Sequence, residues 1–346
     1  MHDEVLEALV RVPSVTGDTD AAVAAFVREA LRLGFPHAER DDAGNGVAVA
    51  GRGEREILLV GHIDTVAPVL PVRREGRRLF GRGAVDAKGP LAAFLCAAAR
   101  FRASPTHRIV VVGACDEEGE SHGARALIDR YRPEALVIGE PSGVAGVTIG
   151  YKGIVKVRYE AEEDLQHTGA PFPSVPDRGV AFWSALQGYL GQQYGDSLFD
   201  MPTAKLNEFN TELLPSGRVR VRLSGSARIP PGFDAPALLD FLRQRAGSAK
   251  LELPEWSPAW LGDKNAELTR AFIAAIRDEG LTPRYVKKTG TSDANLLVPA
   301  WKVPCVAYGP GESALDHTPQ ESIDLDEFAA SVRVLERVLA RLTRPS

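Results

Sequence analysis

Three stretches of this chain are apolar almost without interruption, and each ends in charged or metal-ligating side chains. "EILLVG" (56–61) runs into His62 and Asp64, "RIVVVGAC" (108–115) into Asp116, Glu117 and Glu118, and "ALVIG" (135–139) into Glu140. A fourth, "VPCVAYG" (303–309), leads into a Gly-Pro loop that reaches Asp316 and His317. Short runs without polar alternation suit strands buried on both faces, as in parallel sheets covered by helices. Helical patterns alternate with them. In "DTDAAVAAFVREALRLG", Val23, Phe26, Val27, Ala30 and Leu31 recur at helical spacing, with Asp18 or Thr19 as cap and Gly34 as stop. "PLAAFLCAAARF" (90–101) reads as a buried helix with Pro90 in its first turn. The expected fold class is therefore α/β, a mostly parallel sheet with helices on both faces. In such a sheet the carboxyl ends of the strands share one edge, where ligands bind. The residues that follow the four strands can meet there.

At 346 residues, two domains are expected. From about residue 151 the pattern changes to strands with polar alternation, "IVKVRYEAE", "TAKLNEFN" and "GRVRVRLSGSARI", with helical "RGVAFWSALQGYL" and "DAPALLDFLRQRA" and a last strand in "AKLELPE". The order β-α-β-β-α-β is the ferredoxin-like pattern. The first pattern then resumes with "NAELTRAFIAAIRDEG", the strand at 303–309 and the amphipathic "DLDEFAASVRVLERVLARLT". This gives a discontinuous domain, 1–152 with 259–346, and an inserted α+β domain at 153–258.

A net charge of −5 argues against a general nucleic-acid binder. Cys96, Cys115 and Cys305 form no pairing framework and sit in apolar stretches, which points to buried thiols in a reducing compartment. The first residues lack the basic start and apolar core of a signal peptide, and no apolar run is long enough to span a membrane. The cytoplasm is the expected address, with neither nucleic acid nor membrane as partner.

Residue types define the chemistry at the sheet edge. His62, His317 and several carboxylates, with no thiolate, make a nitrogen and oxygen ligand set suited to Zn²⁺, Co²⁺ or Mn²⁺. Divalent cations would also offset the repulsion among the carboxylates of "DEEGE". The Gly-rich "GRGAVDAKGP" (81–90) adds Asp86 just before a helix. Taken singly, each piece has an ordinary reading. A strand-end His is often structural, Asp86 could cap the following helix, and the acidic pair could be a solvated loop. Their joint placement favours a site.

The stretches "GHIDTV" (61–66), "GRGAVDAKG" (81–89), "DEEGE" (116–120), "GEPS" (139–142) and "DHTPQESI" (316–323) together resemble the M20 family of metallo-aminoacylases and peptidases, over essentially the whole chain. The resemblance implies a two-metal site in which Asp86 bridges, His62 and Glu140 complete one ion, and Glu118 and His317 the other. It implies Glu117 as general base and Asp64 as the carboxylate that fixes the His62 ring. It implies that the inserted domain dimerises and that His167, in "DLQHTGAP", stabilises the developing oxyanion, acting on the partner's site in a homodimer. Arg228 in "SARIPPG" resembles a family arginine that grips a substrate carboxylate, although Ser226 stands where the family often has an acid. "TGTSDAN" (289–295) resembles a pocket-lining segment, with Thr291, Ser292 and Asn295 as substrate contacts.

Within the family, "YKGIVKV…HTGAP", "KKTGTSDANLL" and "AYGPGESALDHTP" are most similar to enzymes that release lysine or ornithine from the small acidic carrier protein LysW in lysine and arginine biosynthesis. That implies an amide hydrolase with two divalent ions, Zn²⁺ foremost and Co²⁺ or Mn²⁺ possible, acting on carrier-linked lysine or ornithine. Asp293, Glu312 or Asp316 could pair with the side-chain amine. The hairpin "VRREGRRLFGRG", with five arginines, could dock an acidic carrier or be an ordinary solvated hairpin. Two alternatives stay open: a deacylase of N-acetylornithine or N-acetyllysine, and a non-catalytic amino-acid or metal-binding protein on the same fold.

Overall fold

A computed structural model describes residues 2–192 and 195–344. The chain forms two compact units, one made of 1–150, 262–286 and 292–346, the other of 151–261 with 287–291.

In the first unit the main sheet runs in the order His37–Arg40, Gly46–Ala50, His107–Ala114, Arg55–His62, Ala135–Gly139, Cys305–Ala307, Gly146–Tyr151. The four strands named from sequence for their chemistry stand side by side at its centre and are mutually parallel. Side chains alternate across the sheet. Ile57, Leu59, Ile109, Val111 and Val137 enter one large core with the helices His2–Val10, Asp20–Arg32, Lys88–Ala98, Glu267–Asp278 and Leu325–Leu342. Leu58, Val60, Val110, Val112, Leu136 and Ile138 are equally buried but lie outside that core. A second helix pair, His122–Arg130 against Ala294–Trp301, belongs to the same unit. Burial of both side-chain sets explains the unbroken apolar runs. Lys88–Ala98 is buried at every position, as its all-round apolar sequence requires.

Two local features differ from the sequence reading, the N-terminal helix and the helix caps. His2–Val10 is a helix, buried through Val5, Leu6, Leu9 and Val10. Thr19 is the N-cap of the next helix but its side chain makes no capping bond, and Asp86 caps nothing, because Ala87 holds the N-cap position of Lys88–Ala98. The arginine-rich segment is a hairpin, Arg73–Glu75 with Arg78–Phe80, but its charges are largely met within the chain. Arg73 pairs with Glu75, Arg74 and Arg77 with Asp3, and Arg82 with Glu321. The solvated-hairpin reading is the better one.

The second unit has the strand order Thr203–Leu213, Arg218–Ile229, Gly153–Asp164, Lys250–Glu252, all antiparallel. With the helices Val175–Leu190 and Ala235–Ala246 packed over a separate core, this is the ferredoxin-like arrangement. The first helix starts at a capping box between Ser174 and Asp177 with proline behind the cap.

Candidate metal centre

Register brings the chemistry together. In the central strands Gly61 stands level with both Gly113 and Gly139, and His62 level with Ala114. Glu140 therefore leaves its strand beside His62, and the loop carrying Glu117 and Glu118 begins on the other side. His62 Nε2 lies 4.0 Å from Glu140 Oε1 and 3.0 Å from Asp86 Oδ1. The other Asp86 oxygen lies 3.0 Å from His317 Nε2, which is also 2.8 Å from Glu118 Oε1. One carboxylate thus faces two imidazoles, one from each of its oxygens.

The donor atoms of His62, Asp86 and Glu140 lie within 4.8 Å of one another, as do those of Asp86, Glu118 and His317. Two nitrogen-and-oxygen sets that share Asp86 have the donor chemistry to hold two divalent cations. A third set, His62, Glu117 and Glu118, puts Glu117 near one member of each of the other two.

Backbone shape separates the two neighbouring glutamates. Asp116 has a left-handed φ of 67°, unusual for a side chain with a Cβ and typical of a functional turn. Asp116 Oδ2 accepts from the Glu120 amide at 3.1 Å and pairs with His122 Nδ1 at 2.7 Å, so this carboxylate holds the turn. The backbone amides of Glu117 and Glu118 both donate to the Asp64 carboxylate, at 3.1 and 3.2 Å, and Thr16 Oγ1 donates to it at 2.9 Å. His62 Nδ1 meets the Asp64 carbonyl oxygen at 2.9 Å, while the Asp64 carboxylate is 3.6 Å away. The ring is held chiefly by the main chain of Asp64, and the carboxylate chiefly fixes the glutamate loop. His317 has φ 61°, a second left-handed residue in the cluster.

Without cations the cluster sets five carboxylates against two imidazoles. Burial opposes charge on His62, but the Asp64 and Asp86 carboxylates outweigh it and hold the imidazole well above its usual pKa. The bond to Asp86, with Glu118 nearby, pushes His317 up to about 9. Burial opposes ionisation of Asp86, yet His317 and His62 hold it well below the usual carboxylate range. Burial pushes Glu117 well above that range, with Glu140, Asp293 and Glu118 adding to the rise. The mutual repulsion is what bound cations would relieve.

The remaining expected contacts divide between the units. Ser292 and Asn295 lie in the first, where the Ser292 amide donates to Asn295 Oδ1 at 3.0 Å at the entry to helix Ala294–Trp301. Asp293 beside them is buried and is pushed up to about 6 by that burial. Thr291, Arg228 and His167 belong to the second unit, where Arg228 Nη1 donates to Thr291 Oγ1 at 2.9 Å and His167 is an exposed loop residue whose Nδ1 accepts from the Gly169 amide. Sequence reasoning did not single out Thr16, Lys88 or Glu321, and read Arg82 only as part of the arginine-rich hairpin. Lys88, in "DAKG", is almost fully buried, donates to the Val12 carbonyl at 2.6 Å and is lowered to about 8 by burial. A lysine just ahead of an apolar helical run was the available signal.

A profile described as peptidase family M20/M25/M40 matches residues 58–341. The chain is 38% identical to a LysW-lysine hydrolase of Deinococcus radiodurans, over 98% of this chain and 96% of the relative. It is 39% identical to a putative LysW-lysine/LysW-ornithine hydrolase of Thermococcus kodakarensis, over 98% and 91%. Among solved structures, an M20 family metallo-carboxypeptidase of Sulfolobus solfataricus superposes with a TM-score of 0.78 at 18% identity, covering 98% of each chain.

Proposed function

Because this chain belongs to peptidase family M20/M25/M40, a family of amide hydrolases, we propose that it cuts the amide joining lysine or ornithine to the carrier protein LysW. The observation that carries this reading is near-full-length similarity, at 38 and 39% identity, to relatives named for that reaction.

His62 and Glu140 would hold one divalent cation and Glu118 and His317 the other, with Asp86 between them. Zn²⁺ is the first choice and Co²⁺ or Mn²⁺ suit the same donors. Such ions acidify water and polarise a carbonyl when bound. Glu117 takes a proton from the attacking water at a carboxylate oxygen and delivers it to the leaving amine nitrogen. Its reach to His62 and Glu118 supports that assignment. Asp64 holds the Glu117 and Glu118 amides, which fixes where the base points. His167 would stabilise the oxyanion, and Arg228 with Thr291, Ser292 and Asn295 would bind the substrate.

We also propose a homodimer and a cytoplasmic address. Strand Thr203–Leu213 lies at the end of its sheet, with Leu206, Phe209 and Leu213 exposed, and an open edge of this kind readily pairs with a second copy. The described residues contain no helix long and apolar enough to cross a membrane, and all three cysteines are free and buried.

The test is turnover by the metal-loaded protein on lysine- and ornithine-charged LysW beside N-acetylornithine and N-acetyllysine. Fast release from the carrier with slow deacetylation is expected, and fast turnover of the acetyl compounds alone would sink the carrier reading. Glu117→Gln should lower turnover by roughly 10²–10⁴-fold with metal content unchanged. A wild-type protein inert on every amide would instead favour a binding protein.

A further inference from the structure

We infer that Glu321 is a positioning residue that sets the spacing of Asp86 and His317. This rests on the reading of those two residues as metal ligands.

Asp86 must aim its two oxygens in different directions, Oδ1 at His62 and Oδ2 at His317. It sits in a turn between strand Arg78–Phe80 and helix Lys88–Ala98, so no sheet ladder holds its backbone. Glu321 does that instead. Its Oε1 accepts from the amides of Val85 at 3.0 Å and Asp86 at 3.1 Å, and its Oε2 accepts from Arg82 Nη1 at 2.8 Å. Its own carbonyl accepts from the Gly81 amide at 3.2 Å. Arg82 also donates to the Thr318 carbonyl at 3.2 Å and the Pro68 carbonyl at 3.2 Å. Both side chains are nearly solvent-free, 4% and 0% exposed, so water does not compete for these bonds.

The residue that grips the Asp86 backbone lies four positions after His317. One short segment therefore supplies a ligand and the clamp on the ligand opposite it. The pairing of Ser322 with Phe80 continues the same stitching away from the site. A buried carboxylate is costly unless fully bonded, and here each oxygen is engaged. Outer contacts of this type commonly change metal affinity by about 10–100-fold when removed.

The test uses full-length wild type, Asp86→Ala, Glu321→Ala and Glu321→Gln. Each is titrated with Co²⁺ against a chelator, its visible Co²⁺ spectrum is recorded, and its thermal midpoint is read without metal. Wild type is expected to bind two ions and Asp86→Ala to lose that stoichiometry. Glu321→Ala should bind about 10–100-fold more weakly with an altered spectrum. Glu321→Gln keeps an oxygen for the two amides but turns an NH₂ towards Arg82, so it should recover part of the affinity and spectrum. Wild-type affinity and spectrum in Glu321→Ala, with only a lower thermal midpoint, would mean that the residue merely supports the fold. If the alanine variant does not fold, Glu321→Met, which fills similar space but offers the Val85 and Asp86 amides no oxygen, takes its place, and wild-type affinity and spectrum there would overturn the inference. A wild type that binds no ion would overturn the metal reading and the clamp with it.

Discussion

Adjacent glutamates can take different tasks because the residue before them is turned the wrong way for an ordinary strand end. Asp116, at φ 67°, folds the chain back on its own carboxylate, and Asp64 then collects both following amides. The sequence displayed four acids in "DEEGE" but not which were structural. Asp116 has become the turn's own acceptor, and Glu120 contributes its amide to that turn. The same crowding has a pH consequence. Both His62 and His317 are held above the usual imidazole pKa by carboxylates, so the metal-free protein carries protons on them near neutrality. Metal ligation needs the neutral nitrogen, so loading must expel protons. Affinity should therefore rise with pH from neutrality to about 9, where the free His317 loses its proton. Calorimetric titration near pH 7 in buffers of different ionisation enthalpy measures the release, and a buffer-independent heat would contradict it.

Elements position these residues through close approach. A Cβ added to Gly139 would come within 2.9 Å of Phe94 Cε2 and 3.0 Å of Gly61 Cα. Strand Ala135–Gly139, strand Arg55–His62 and helix Lys88–Ala98 thus crowd at the very level where Glu140 and His62 depart. Gly139→Ala is expected to cost about 1–3 kcal/mol by overpacking, read as a lower urea midpoint, and to weaken metal binding at Glu140. A urea midpoint equal to wild type would show that the crowding is relieved at no cost. The central strands were legible because burial on both faces leaves only one kind of residue. The helix His122–Arg130 was not, since its polar sequence packs only Gly123, Ala124 and Leu127 inward and starts from a left-handed Ser121 with no capping bond.

At the scale of the molecule, the inserted unit leaves an eleven-residue strand open along its outer side. Leu206→Glu with Phe209→Glu should convert a dimer into monomers in sedimentation or light scattering, because buried like charges would face each other across the joined edges. A mass equal to wild type would argue against that edge as the contact.

The order of apolar runs, the ligand types that end them and the change of pattern near residue 151 are properties of the sequence itself. They sufficed for the α/β class and the ferredoxin-like insertion, because periodicity and burial follow directly from which side chains water rejects, while the family was legible only through the resemblance of the motifs that end the strands. Tertiary structure alone decided how the candidate metal-binding residues are held. The Asp64 carboxylate reaches across 53 and 54 positions to the glutamate loop, and Glu321 across 235 to Asp86. Such bonds join chain segments by register and turn geometry, and nothing in the local sequence of an aspartate or glutamate records which distant amide it will accept.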